Sequence, residues 1–210
     1  MNKRMVIASV FVLVAMLVSA DEFTLQVTNT LDREIQYLFI SSESSEYWGV
    51  DVLGGTEEEK VVIPSEASIQ LSVSSETRTD TIDVLAIDSS GNIYEQWAVD
   101  PGLDGTVLVS IRSQQRFEQP ITINSFLAPL RIENRTGESI ISFRTAPGDV
   151  SGYLINSMHT GADDWQNGHS FVFWYIIGWE EPLLYYAATP SGSVSDTIWL
   201  EDTESLLVLE

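Results

Sequence analysis

The chain has 210 residues, with 31 acids against 10 bases, a formal net charge of -21 and no cysteine. That balance excludes a nucleic-acid partner, because phosphate contacts need clustered Lys and Arg, and it disfavours docking on an anionic membrane surface. The missing cysteines exclude disulfides, thiolate metal sites and a lipoprotein-type acyl anchor, so a core must hold the protein together.

In chain order, Lys3 and Arg4 precede an uncharged, almost wholly apolar run from Met5 to Val18. Val18-Ser19-Ala20 ahead of Asp21-Glu22 then has the layout of a signal-peptidase site. Residues 1–20 are expected to be a cleaved secretory leader, since the run is shorter than the ~20 residues of a membrane span. The mature chain, with no further apolar run long enough to span, is expected in the periplasm or outside the cell.

The mature chain reads as strands. Phe23, Leu25 and Val27 alternate with polar residues, as do Ile69, Leu71 and Val73, and again Val107, Val109 and Ile111. Thr81 to Ile87 is β-branched and apolar, the run Asp88 to Asn92 has turn chemistry, and Ile93 to Val99 reads as the returning strand. The acidic stretch Glu57 to Lys60 is expected to be a solvated loop. Phe171 to Trp179 is nearly all apolar and aromatic, the pattern of a strand covered on both faces, here between two domains.

An internal echo organises these elements. Asn29 with Ile35 six residues on is matched by Asn134 with Ile140. Continuing without a gap, Trp48 meets Tyr153, Asp51 meets Asn156 and Leu53 meets Met158; with small length changes, Ser68-Ile69 meets Ser170-Phe171 and Ser90-Gly91 meets Ser191-Gly192. The order of turn, aromatic, acid and turn predicts an all-β fold of two tandem β-sandwich-like domains from an internal duplication. The first copy is placed at 21–112, a linker at 113–127 and the second copy at 128–210.

Trp48-Gly49-Val50-Asp51-Val52-Leu53-Gly54, Pro64 to Ser68, and Asp88-Ser89-Ser90-Gly91 with Tyr94 give this order in the first copy. Asn134, Thr136-Gly137 and Gly168-His169-Ser170 keep part of it in the second, where Tyr153-Leu154 replaces the Trp-Gly pair. The chain resembles a family of small secreted bacterial tandem β-domain proteins of unknown function. The resemblance implies a fold and an extracytoplasmic life, and no activity. The run Pro64-Ser65-Glu66-Ala67-Ser68 departs from the glycine the resemblance leads one to expect there.

Asn29 and Asn134 fit turn formation. Trp48, beside a turn, is the candidate for an exposed contact, whereas Trp97 and Trp199 lie in strand patterns and are expected to be core or half-buried. Asp51 and Asp88 are the acids offered as ligand-binding candidates, although turn chemistry accounts for them too. Calcium would draw on such carboxylates, but no calcium-loop spacing is present and no metal ligand is assigned. His159 and His169 form no metal or triad pattern, so no catalytic residue is named. The function expected is a non-enzymatic binding or structural role toward an unknown protein or glycan. Two alternatives stand beside it. One is a carbohydrate-binding module or glycoside hydrolase using exposed Trp and paired carboxylates; the other is a calcium-stabilised surface protein.

Overall fold

The computed structural model describes residues 21–56, 58–75, 81–100, 106–112, 126–148, 153–157, 165–177, 181–201 and 204–210. The expected leader and positions 113–125 of the expected linker lie outside them, as do His159 and Trp179. The described residues form an all-β protein of several packed sheets.

Six strands come from the first half: β1 (Asp21–Asn29), β2 (Ile35–Ser42), β3 (Ser68–Ser75), β4 (Ile82–Asp88), β5 (Ile93–Val99) and β6 (Thr106–Ile111). The second half adds β7 (Leu127–Asn134), β8 (Ser142–Pro147), β9 (Tyr153–Asn156), β10 (Ser170–Ile176), β11 (Glu181–Thr189), β12 (Gly192–Leu200) and β13 (Ser205–Leu209).

The pairing repeats. β1 lies antiparallel to β3 and parallel to β6, and β7 lies antiparallel to β10 and parallel to β13. β2, β4 and β5 form one antiparallel set, and β8, β11 and β12 form its counterpart. Loop hydrogen bonds repeat as well: Ile35 and Ile63 exchange backbone bonds as Ile140 and Trp165 do, and Val52 N–H donates to Leu38 as Ser157 N–H donates to Phe143. The amide of Asn29 reaches the carbonyls of Arg33 and Ile63 while its oxygen accepts from Leu31 N–H. Asn134 does the same with Glu138, Trp165 and Thr136. Even the turn glycine has its counterpart, since Glu66 takes φ 60° where Gly168 takes 84°.

Alternation supplies the two cores. Leu25, Val27, Leu71, Val73 and Val109 face Leu38, Ile40 and Val84 in the first half. Leu130, Ile132, Phe173, Tyr175 and Leu207 face Phe143, Leu183 and Tyr185 in the second. A third cluster joins the halves: Tyr37, Phe39, Leu85, Ile87 and Ile93, on the outward side of β2-β4-β5, meet Leu127 and Ile176. β10 thus has Phe173 and Tyr175 in one core and Ile176 in another, covered on both faces as its composition requires.

The halves also exchange edges. β9 pairs with its own β8 and with β3, Val73 opposite Ile155, which makes one sheet of order β12-β11-β8-β9-β3-β1-β6. In return, residues 50–56 run along β10 through bridges Val50–Tyr175 and Thr56–Phe171, with Val172 N–H bonded to Gly55 at 2.8 Å. Gly54 permits this approach, because a Cβ there would sit 2.3 Å from the Phe173 ring. Both edges would otherwise present unpaired backbone groups.

Candidate functional site

The β4-β5 pairing runs regularly from Ile87–Ile93 to Val84–Gln96, then slips before Ile82–Val99. The two residues fitted into the slip are Trp97 and Ala98. Ala98 takes a left-handed φ of 53°, and its N–H donates to the buried Asp83 carboxylate at 2.8 Å. A bulge of this kind re-aims the side chain beside it.

That side chain is Trp97, 59% exposed. The expectation that it is core or half-buried is therefore corrected. Period two places Trp97 on the same side of β5 as Ile93, but the second half covers only the Ile93 end of that side. Its ring is nonetheless held in place. Trp48 stands 5.5 Å away, centroid to centroid, tilted by 52°, and the Glu95 carboxylate accepts a hydrogen bond from the Trp97 side chain. Burial raises the Glu95 pKa; the bond from Trp97 opposes that shift and the Asp83 charge adds to it. Burial likewise raises Asp83, against the bond from Ala98. Trp48 itself is half-buried and leans on the third cluster. Trp48, Trp97 and Glu95 thus make a fixed aromatic step with an acceptor beside it.

Trp199 needs the same correction, being 65% exposed on the edge strand β12. It stands opposite Pro182.

Asp51 and Asp88 do not join Trp48 at a common site. Asp88 is buried at the far end of β4 and accepts bonds from Ser90 N–H, Asn92 N–H, the Asn92 amide and the Tyr94 hydroxyl. Burial alone would raise its pKa, but those bonds hold it below the usual carboxylate value. Asp51 has 0% exposure and accepts the N–H groups of Leu38, Leu53 and Gly54 at 3.0, 3.1 and 3.2 Å. Burial pushes its pKa up to about 6, against the Lys60 charge and the three backbone bonds.

Of the stretch 57–60 read as solvated, Glu58 and Glu59 are exposed and Glu57 lies outside the described residues, but Lys60 departs from that reading. Its ammonium is buried without a hydrogen-bond partner, 2.8 Å above the Tyr37 ring centroid and 5.6 Å from that of Trp174. Burial lowers its pKa to about 8, with Asp51 opposing. A cation over aromatic faces is stabilised by the ring quadrupole, so these groups tie Asp51 to the seam between the halves. A cavity of about 390 Å³ opens beside them, lined by Gly55, Thr56, Lys60, Arg131 and Trp174 among others. Among the described residues no three His, Asp or Glu converge as metal ligands.

No family model and no curated protein matches the chain. Among solved structures it is similar to CBMbc, a family CBM26 module from Eubacterium rectale Amy13K crystallised with maltoheptaose. That similarity has 12% identity, 90% of this chain and 92% of the other covered, and a TM-score of 0.24. A score that low carries no argument about fold or ligand.

Proposed function

We propose that the protein is an exported, non-catalytic glycan-binding protein whose contact surface is the Trp48–Trp97 step with Glu95 at its side. The observation that carries this reading is an indole that is 59% exposed yet packed against a neighbouring ring, with a carboxylate at its side. A sugar ring has an apolar C–H face and a rim of hydroxyls. An indole face offers a flat, electron-rich surface to the first, and a carboxylate accepts from the second. Fixing the ring in advance lowers the ordering cost of binding. A left-handed alanine costs about 1–3 kcal/mol, and such strain gathers at binding sites.

The hydrolase alternative would recruit Asp83 and Glu95 as a carboxylate pair. Asp83 is only 4% exposed and is committed to Ala98 N–H in the bulge, which leaves Glu95 alone at the surface. The calcium alternative has no cluster of carboxylates among the described residues.

Affinity electrophoresis tests the reading, with gels containing soluble starch, xylan, galactomannan or hydroxyethyl-cellulose. The wild type should be retarded in at least one gel, and Trp97→Ala should weaken that retardation about tenfold, the equivalent of ~1.4 kcal/mol of lost contact. An unchanged thermal midpoint establishes that the variant is folded. Migration of the variant with the wild type in every gel sinks the proposal.

A further inference from the structure

We infer that the outward face of β11 and β12 is a second glycan site, centred on Trp199, so that one chain carries two binding faces. The inference rests on the glycan reading above.

The duplicated fold gives each half a sheet with one side toward its own core. In the first half the other side is apolar toward its Ile93 end, and the second half covers that end: Leu85, Ile87 and Ile93 lie under Leu127 and Ile176. The corresponding side in the second half has different chemistry. Its rungs are Pro182 opposite Trp199, Leu184 opposite Thr197, and Tyr186 opposite Ser195. The alternate residues, Leu183 and Tyr185, point into the core.

β12 is exposed from Gly192 to Thr197 and again at Trp199, and the β11 members of the rungs are half-buried. None of the six rung residues is acidic or basic, in a chain with 31 acids and a net charge of -21. The base beside the face, Arg144 on β8 opposite Tyr186, is paired with Glu22. The rungs themselves therefore suit a neutral partner, with aromatic surface for stacking and hydroxyls for exchange with a sugar rim. From Trp199 to Ser195 the rungs span roughly 14 Å along the strand, room for several rings of a chain.

The second site differs from the first in construction. Thr197 takes the register of the first half's bulge, since Leu183–Ile198 corresponds to Ile82–Val99. Trp199 lies one rung further on. It has no counterpart of Trp48 among the described rings stacked on it, so it should bind more weakly than Trp97.

Calorimetry with maltohexaose, cellohexaose, xylohexaose and mannohexaose, each titrated into the mature chain, tests this. For the oligosaccharide bound, about two sites per chain are expected. Trp199→Ala should remove one and keep the other, Trp97→Ala should do the reverse, and the double variant should remove both. A single site lost with Trp97→Ala and untouched by Trp199→Ala overturns this inference and leaves the first reading intact. A single site lost only with Trp199→Ala refutes the Trp97 reading and overturns the inference of two faces, leaving β11 and β12 as the one glycan face. No heat with any of the four overturns both. Sedimentation velocity adds a further arm: a dimer that Trp199→Ala renders monomeric, with sugar binding unchanged, makes the face a protein interface and also overturns the inference.

Discussion

Replacing Asp51 by Asn should change how stability depends on pH, on top of a cost that is the same at every pH. The carboxyl is fully buried and its pKa rises from 3.8 to about 6 on folding. A raised folded value means that the native state holds the proton more tightly than the unfolded chain. The stabilisation is complete below the unfolded value and is lost as pH climbs through about 6. About two pH units at ~1.4 kcal/mol each make about 3 kcal/mol, a large share of a stability of ~5–15 kcal/mol. Asparagine does not titrate, so between pH 4 and pH 7 the wild type should lose about 3 kcal/mol relative to Asp51→Asn. The amide has its own cost, because its NH2 must face one of the N–H groups that Asp51 accepts from Leu38, Leu53 and Gly54. That penalty, about 1–3 kcal/mol, is the same at every pH.

Urea unfolding followed by tryptophan emission at pH 4, 5, 6 and 7 gives the difference directly. In the wild type Lys60 stays protonated across that window, since its folded pKa is about 8; in the variant the Asp51 charge no longer opposes the drop, so the difference is read most directly from pH 4 to 6. Above pH 8 the sign reverses. A lysine whose folded value is depressed contributes stability as pH rises, so a minimum is expected between the two values. A wild-type-minus-variant difference that stays flat within about 1 kcal/mol from pH 4 to 7 would refute the argument from burial.

The backbone sets two further outcomes. Ala98→Gly should stabilise the protein by about 1 kcal/mol, because glycine takes φ 53° without the Cβ clash; thermal melts check this, and a loss of stability would show that Ala98 is unstrained. Asn29→Ala and Asn134→Ala should each cost at least about 2 kcal/mol by leaving buried groups unpaired. Since their bond sets match, the two losses in urea should agree within about 1 kcal/mol, and a neutral result at one site alone would break the equivalence of the halves.

The duplication was legible because turns depend on few residues. Asn29 and Asn134 each close a loop through their own side chain, so their spacing to Ile35 and Ile140 survives in sequence. Period two was equally legible, but it only sorts residues onto sides of a strand. Whether a side is covered depends on distant segments. Ile93 and Trp97 lie on one side of β5, yet Ile93 is buried by the second half and Trp97 is exposed. Lys60, beside three acids in sequence, ends above Tyr37 for the same reason. The candidate site was legible only in Trp48. Its partner required the bulge, and nothing local in Gln96-Trp97-Ala98 signals one.

Two departures between the copies account for why the aromatic step forms only once: Thr197 stands where the first copy has its Trp97–Ala98 bulge, and the turn beside Trp48 is not kept. Where the first has Trp48-Gly49, the second has Tyr153-Leu154. Gly49 takes φ 67°, a turn that an L side chain resists, and a Cβ there would meet the Pro147 ring at 3.3 Å. The chain therefore bends at Gly49, leaving Trp48 against Trp97 and sending residues 50–56 across to β10. Leu154 imposes no such bend, and Tyr153–Asn156 runs straight as β9, hydrogen-bonded between β8 and β3. Gly49 thus turns the chain where Leu154 lets a strand extend the sheet, and it sets Trp48 beside the indole that the Ala98 bulge exposes. On the second half's outward face Trp199 stands exposed.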